Sequence, residues 1–122
     1  MFYFSDYRIM EKKLVWDKES FFEELEHDRG EIKDLLEVYL SSSKKLLADI
    51  ERALASGDLD LARRSAHALK GASATIFLES VRVLALNLEK ASDLEEANDL
   101  LFELKEQLNE FWQKITSGDY GD

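Results

Sequence analysis

Not one of the 122 residues is proline, and the five glycines, Gly30, Gly57, Gly71, Gly118 and Gly121, are scattered singly. A chain with so few breakers has little to interrupt hydrogen-bonded helices, and its abundant Leu, Ala, Glu and Lys favour them. The fold class expected is all-α. Hydrophobic residues make up 45% of the chain, enough for one buried core in a length too short for two domains.

Asp17 has the position of an N-cap, and Phe21, Phe22 and Leu25 give the short helix after it an apolar stripe. Asp28 with Glu31 repeats the cap pattern, and apolar residues at three-to-four spacing from Ile32 to Leu54 predict a long amphipathic helix. Ser41-Ser42-Ser43 weakens helix propensity in its middle, and Ser56-Gly57 predicts its stop. Asp58 then caps a third helix over 59–76, a fourth begins near Ser80, and Ser92 with Glu95 forms a capping-box pattern for a last helix that Ser117-Gly118 ends. Short connections between long amphipathic helices predict an antiparallel up-down four-helix bundle with a short additional N-terminal helix laid across it. The organisation expected is an N-terminal extension over 1–16, the bundle over 17–116 and a tail over 117–122. The extension carries aromatics without clean periodicity, so docking and fraying both stay open for it.

With 26 acidic against 16 basic residues the formal net charge is −10, and long-range repulsion argues against nucleic-acid or anionic-membrane surfaces as partners. Cysteine is absent, which removes disulfides, thiol catalysis and thiolate metal sites. Charged residues follow the apolar Met1-Phe2-Tyr3-Phe4 at once, so no signal-peptide core is expected, and nothing approaches a membrane span. A cytoplasmic monomer is the expectation. The two histidines lie far apart without HxxxH, HExxH or CxxC spacing, and no glycine-rich nucleotide motif occurs, so neither a metal nor a cofactor is expected in this chain.

The third helix holds the unusual residues. On a wheel of about 100° per residue, Arg63, Arg64, Lys70, Gly71 and Ala74 all fall within about 60° of His67. Leu69 and Ile76 lie on the opposite side, among Ala62, Ser65, Ala66 and Ser73, and that side must pack inward. His67 is therefore expected to face solvent, with three cations near it and two very small residues towards its C-terminal side. An exposed imidazole is partly neutral and nucleophilic near neutral pH, and neighbouring cations favour that form. It can attack phosphorus, and a cation one turn away, Lys70, can pair with the phosphate it acquires. Gly71 costs about 0.5 to 1 kcal/mol relative to Ala inside a helix; its absent side chain would let another backbone approach closely.

The stretch Ala66-His67-Ala68-Leu69-Lys70-Gly71-Ala72-Ser73 resembles the phosphorylation motif of histidine-phosphotransfer (HPt) domains. Phe22 through Leu54 resemble that family's first helices, and Leu84, Leu88 and Glu89 its following one, so the likeness covers about residues 16–116. The resemblance implies a four-helix bundle in which His67 accepts the phosphoryl group through Nε2, Lys70 stabilises the phosphate and Gly71 gives clearance. It implies a phosphorelay carrier, not an enzyme, between a sensor histidine kinase and response-regulator receiver domains, whose own aspartate and Mg²⁺ supply the catalysis. Arg63, Arg64, Gly71 and Ala74 would then form the partner-binding surface. One departure stands out: the family usually has glycine ten positions after the histidine, ending the helix, and this chain has Phe77.

Plainer readings stand beside these. A lone helical histidine is more often surface decoration or a satisfied core residue, and charged helix faces are usually just solvated. His27 reads as a solvated loop residue, Ser65 and Ser73 as small packing residues, and Trp16 and Trp112 as partial-core aromatics. A bundle that only scaffolds or sequesters signalling proteins is the alternative function; a general-base enzyme would need a concave pocket around His67.

Overall fold

The computed structural model describes residues 13–118 and Tyr120. Residues 1–12, with the Met1-Phe2-Tyr3-Phe4 run and most of the expected extension, lie outside the described residues, as do 119, 121 and 122 of the tail. Among the described residues there are five helices and no strand: α1 Lys18–Glu24, α2 Arg29–Ala55, α3 Leu59–Thr75, α4 Glu79–Glu89 and α5 Leu94–Thr116. No described helix is long and apolar enough to cross a membrane.

Four aspartates begin four of the helices. Asp17, Asp28, Asp58 and Asp93 each accept a hydrogen bond from the backbone N–H three residues on, at 2.9 to 3.2 Å. Such caps contribute about 1 kcal/mol each. The last one differs from the expected capping box. Asp93, not Ser92, is the N-cap, while Ser92 bonds back to the Glu96 carboxylate through both its N–H and its hydroxyl. The pattern lies one residue further along because Asp93 competes for the same position.

The Ser41-Ser42-Ser43 run does not end α2, which continues for 27 residues. The Ser43 hydroxyl donates to the Tyr39 carbonyl at 2.6 Å, one turn back, and accepts the indole N–H of Trp112 from α5 at 2.9 Å. A residue that would favour a turn in isolation is thereby satisfied inside the helix.

Packing closes α2, α3, α4 and α5 into a ring. α2 lies against α3 and α5, and α4 lies against α3 and α5. Leu36 and Ile50 of α2, Leu69 of α3, Leu84 and Leu88 of α4, and Leu104, Leu108 and Phe111 of α5 are completely buried between them.

At the α3–α4 connection, Phe77 takes φ 63°, the left-handed region that a glycine would enter freely. The third helix therefore ends at Thr75, one residue earlier than expected, with Ile76 as its C-cap. Phe77 is half-buried, its ring 6.5 Å from that of Phe21. Residues 14–17 lie along this connection. The Phe77 carbonyl accepts from the Asp17 N–H at 3.0 Å, the Ile76 carbonyl from the Trp16 indole at 2.8 Å, and the Ser80 N–H donates to the Val15 carbonyl at 3.2 Å. Leu78, the N-cap of α4, makes no side-chain cap hydrogen bond, so Val15 from a distant part of the chain satisfies a donor that a local cap would ordinarily take.

Candidate functional site

The inward face of α3 is formed by Ala62, Ala66, Leu69 and Ser73, all fully buried. That packing turns the opposite face outwards, and the His67 side chain keeps 66% of its surface in solvent. Its Nδ1 lies 2.7 Å from Oε2 of Glu89, the last residue of α4. An ionised carboxylate only accepts, so the bond requires the proton on Nδ1. In the neutral ring the lone pair is thereby left on Nε2, which has no hydrogen-bond partner among the described residues. Lys70, one turn further along α3, donates from Nζ to the other Glu89 oxygen, also at 2.7 Å. Lys70 and Glu89 are each roughly a quarter exposed, at 27% and 28%.

One carboxylate thus bridges the histidine and the lysine. The Lys70 ammonium, and secondarily the His67 ring, hold the Glu89 carboxyl below the usual carboxylate range, while partial desolvation pulls the other way. It stays ionised near neutral pH.

Around this pair the surface is bare on one side. A side-chain carbon at Gly71 would meet nothing within 4 Å, so no neighbour among the described residues requires a glycine there. Ala74 is exposed, as is Arg64, which has no partner among the described residues. Arg63 is placed differently. Its Nε donates to the Ala91 carbonyl at 3.1 Å, its Nη2 donates to the same oxygen, and Nη1 lies 3.5 Å from the Asp60 carboxylate. His27 is far from this face in the α1–α2 turn, where it is exposed, adopts φ 59° and meets the Phe22 ring edge-on.

The Hpt domain family matches residues 34–114, a stretch that runs from α2 into α5 and includes His67, Lys70 and Glu89. The chain belongs to the Hpt domain family. Hpt domains are phosphoryl carriers of phosphorelays, and a phosphotransfer role goes with membership. A relative with a described role is the phosphorelay intermediate protein rdeA of Dictyostelium discoideum, 29% identical over 115 residues. That match covers 92% of this chain and 45% of rdeA, so the chain spans less than half the length of this relative. No solved structure gives a significant match.

Within this Hpt domain, the reading of the sequence placed His67, Lys70, Gly71 and Ala74 on one outward face, and the structure brings them together there. The part of Glu89 escaped that reading. Its place 22 residues after His67 carries no local signal, and only the packing of α4 on α3 delivers its carboxylate to the imidazole.

Proposed function

We propose that this Hpt domain carries a phosphoryl group on Nε2 of His67, received from a receiver-domain aspartate or a sensor histidine kinase and handed to a response-regulator receiver. The observation that carries the proposal is the Nδ1 contact with Glu89, which leaves the nucleophilic lone pair on the solvent-facing nitrogen. In transfer from a receiver aspartate, an Nε2–P bond forms while the bond from phosphorus to the donor's carboxyl oxygen breaks, and the donor leaves as carboxylate. The ring retains its Nδ1 proton and gains positive charge, which the Glu89 carboxylate offsets at 2.7 Å. Lys70, already beside the ring, can exchange its Glu89 oxygen for a phosphate oxygen. Delivery to a receiver reverses these steps.

In this reading the chain brings no catalytic apparatus or cofactor, and Mg²⁺ belongs to the receiver. Arg64, Gly71 and Ala74 form the outward surface on which an acidic receiver docks, with Gly71 and Ala74 giving clearance around His67. The helices of the ring run alternately up and down, as the short connections and the order of contacts suggest, and residues 17–116 act as one cytoplasmic, monomeric unit.

Incubation with a phosphorylated receiver domain and Mg²⁺ tests the proposal. Acid-labile phosphate is expected on the wild-type chain and absent from His67→Gln, with helical circular dichroism unchanged. Label persisting on the Gln variant would refute the assignment.

A further inference from the structure

Arg63, His67 and Lys70 stand at i, i+4 and i+7 on α3, so they form one stripe. All three side chains reach the same place, the C-terminal end of α4. His67 and Lys70 take the two oxygens of Glu89, and Arg63 takes the backbone carbonyl of Ala91, two residues on. We propose that Arg63 is a positioning residue for His67, acting through Ala91 and the last turn of α4 to hold the Glu89 carboxylate on Nδ1.

Three observations support this. First, the guanidinium is committed within the chain: Nε and Nη2 share the Ala91 oxygen, Nη1 faces Asp60, and only 36% of the side chain is exposed. Second, α4 is short, 11 residues, and has no side-chain cap at its start; helices of that length depend on tertiary contacts. Residues 14–17 supply those contacts at the N-terminal end, and Arg63 supplies one at the other. Third, the Ala91 carbonyl lies one residue past the Lys90 C-cap of α4, near enough to the helix end for a cation there to complement its dipole. Ala91 is fully buried, so its carbonyl cannot move away without disturbing the core.

The consequence for transfer rests on His67 being the phosphoryl acceptor, whereas the effect on the ring does not. The ring's tautomer is therefore the primary readout. In ¹⁵N NMR of the imidazole, wild type is expected to show the Nδ1-protonated form. Arg63→Ala should shift the ring nitrogens towards the Nε2-protonated form and slow phosphoryl acceptance from a small donor such as phosphoramidate several-fold. Arg63→Lys, which keeps a charge and one donor, should fall between. Arg52→Ala, at an arginine on α2 paired with Asp49, should leave both readouts at wild-type level.

Ring ¹⁵N shifts unchanged in Arg63→Ala and Arg63→Lys would overturn the inference, as would an equal shift in Arg52→Ala. Should Arg63→Ala fail to fold, the Lys variant alone decides by the same shifts. If the wild-type chain took up no phosphate at all, the acceptor reading would fall while the tautomer shift still decided the role of Arg63.

Discussion

At the scale of single residues, the site turns on one shared carboxylate. Because Glu89 is held below the usual range by Lys70 and then by His67, its ionised form contributes stability above the unfolded carboxylate range, and that contribution is lost as pH falls through the lowered folded value. A ¹³C titration is expected to place the Glu89 midpoint below that of freely exposed glutamates in the same spectra, with Lys70→Ala moving it upward. A midpoint indistinguishable from the exposed group would show that the bridge does not persist in solution. Gly71 gives the complementary case. Since a Cβ there meets open space, Gly71→Ala should raise stability by about 0.5 to 1 kcal/mol and leave acceptance from a small donor intact. Gly71→Trp should weaken receiver binding at least tenfold in a titration without lowering the melting temperature. A purely thermal defect would instead make Gly71 structural.

At the scale of the elements, the α3–α4 connection joins a strained residue to a borrowed cap. Phe77 in the left-handed region costs about 1 to 2 kcal/mol relative to an ordinary backbone, while its ring packs near Phe21 and its carbonyl holds the Asp17 N–H. Phe77→Ala keeps the strain and loses the ring; Phe77→Gly loses the ring but relieves the strain. Urea denaturation should therefore find the Gly variant more stable than the Ala variant by about 1 kcal/mol. The reverse order would mean that the turn relaxes away from positive φ. The α2–α3 connection follows ordinary local chemistry, with Gly57 at φ 78° and an aspartate cap after it, whereas the α1–α2 turn also holds two non-glycine residues at positive φ, Glu26 and His27.

At the scale of the whole molecule, a buried polar chain ties three helices together. The Tyr39 hydroxyl of α2 and the Ser73 hydroxyl of α3 share a hydrogen bond at 2.8 Å, and Ser43 links the Tyr39 carbonyl to Trp112 of α5. Burial pushes the Tyr39 phenol well above its ordinary value, outweighing the opposing effect of the Ser73 bond. A raised folded value means full stability below the unfolded phenol's titration near about pH 10, and loss above it as the unfolded chain ionises. Tyr39→Phe should cost about 1 to 2 kcal/mol at neutral pH by leaving Ser73 unpaired, and should flatten the fall in stability above about pH 10. An unchanged alkaline profile would place the source of that fall in another group.

Much of this architecture was legible in the residues alone, because helical periodicity, aspartate caps and the face occupied by His67, Lys70 and Gly71 are local properties of a chain. Rotation about one helix axis determines which side chains share a face. What neighbours that face was decided only by tertiary packing: Glu89 from α4 meeting His67 and Lys70, Arg63 turning to the Ala91 carbonyl, and Val15 completing the start of α4. Those contacts join residues 19 to 65 positions apart, and no short-range spacing encodes them. They arise when burial of leucines on four stripes fixes how the helices lie against one another, which brings polar groups at their edges within hydrogen-bonding distance.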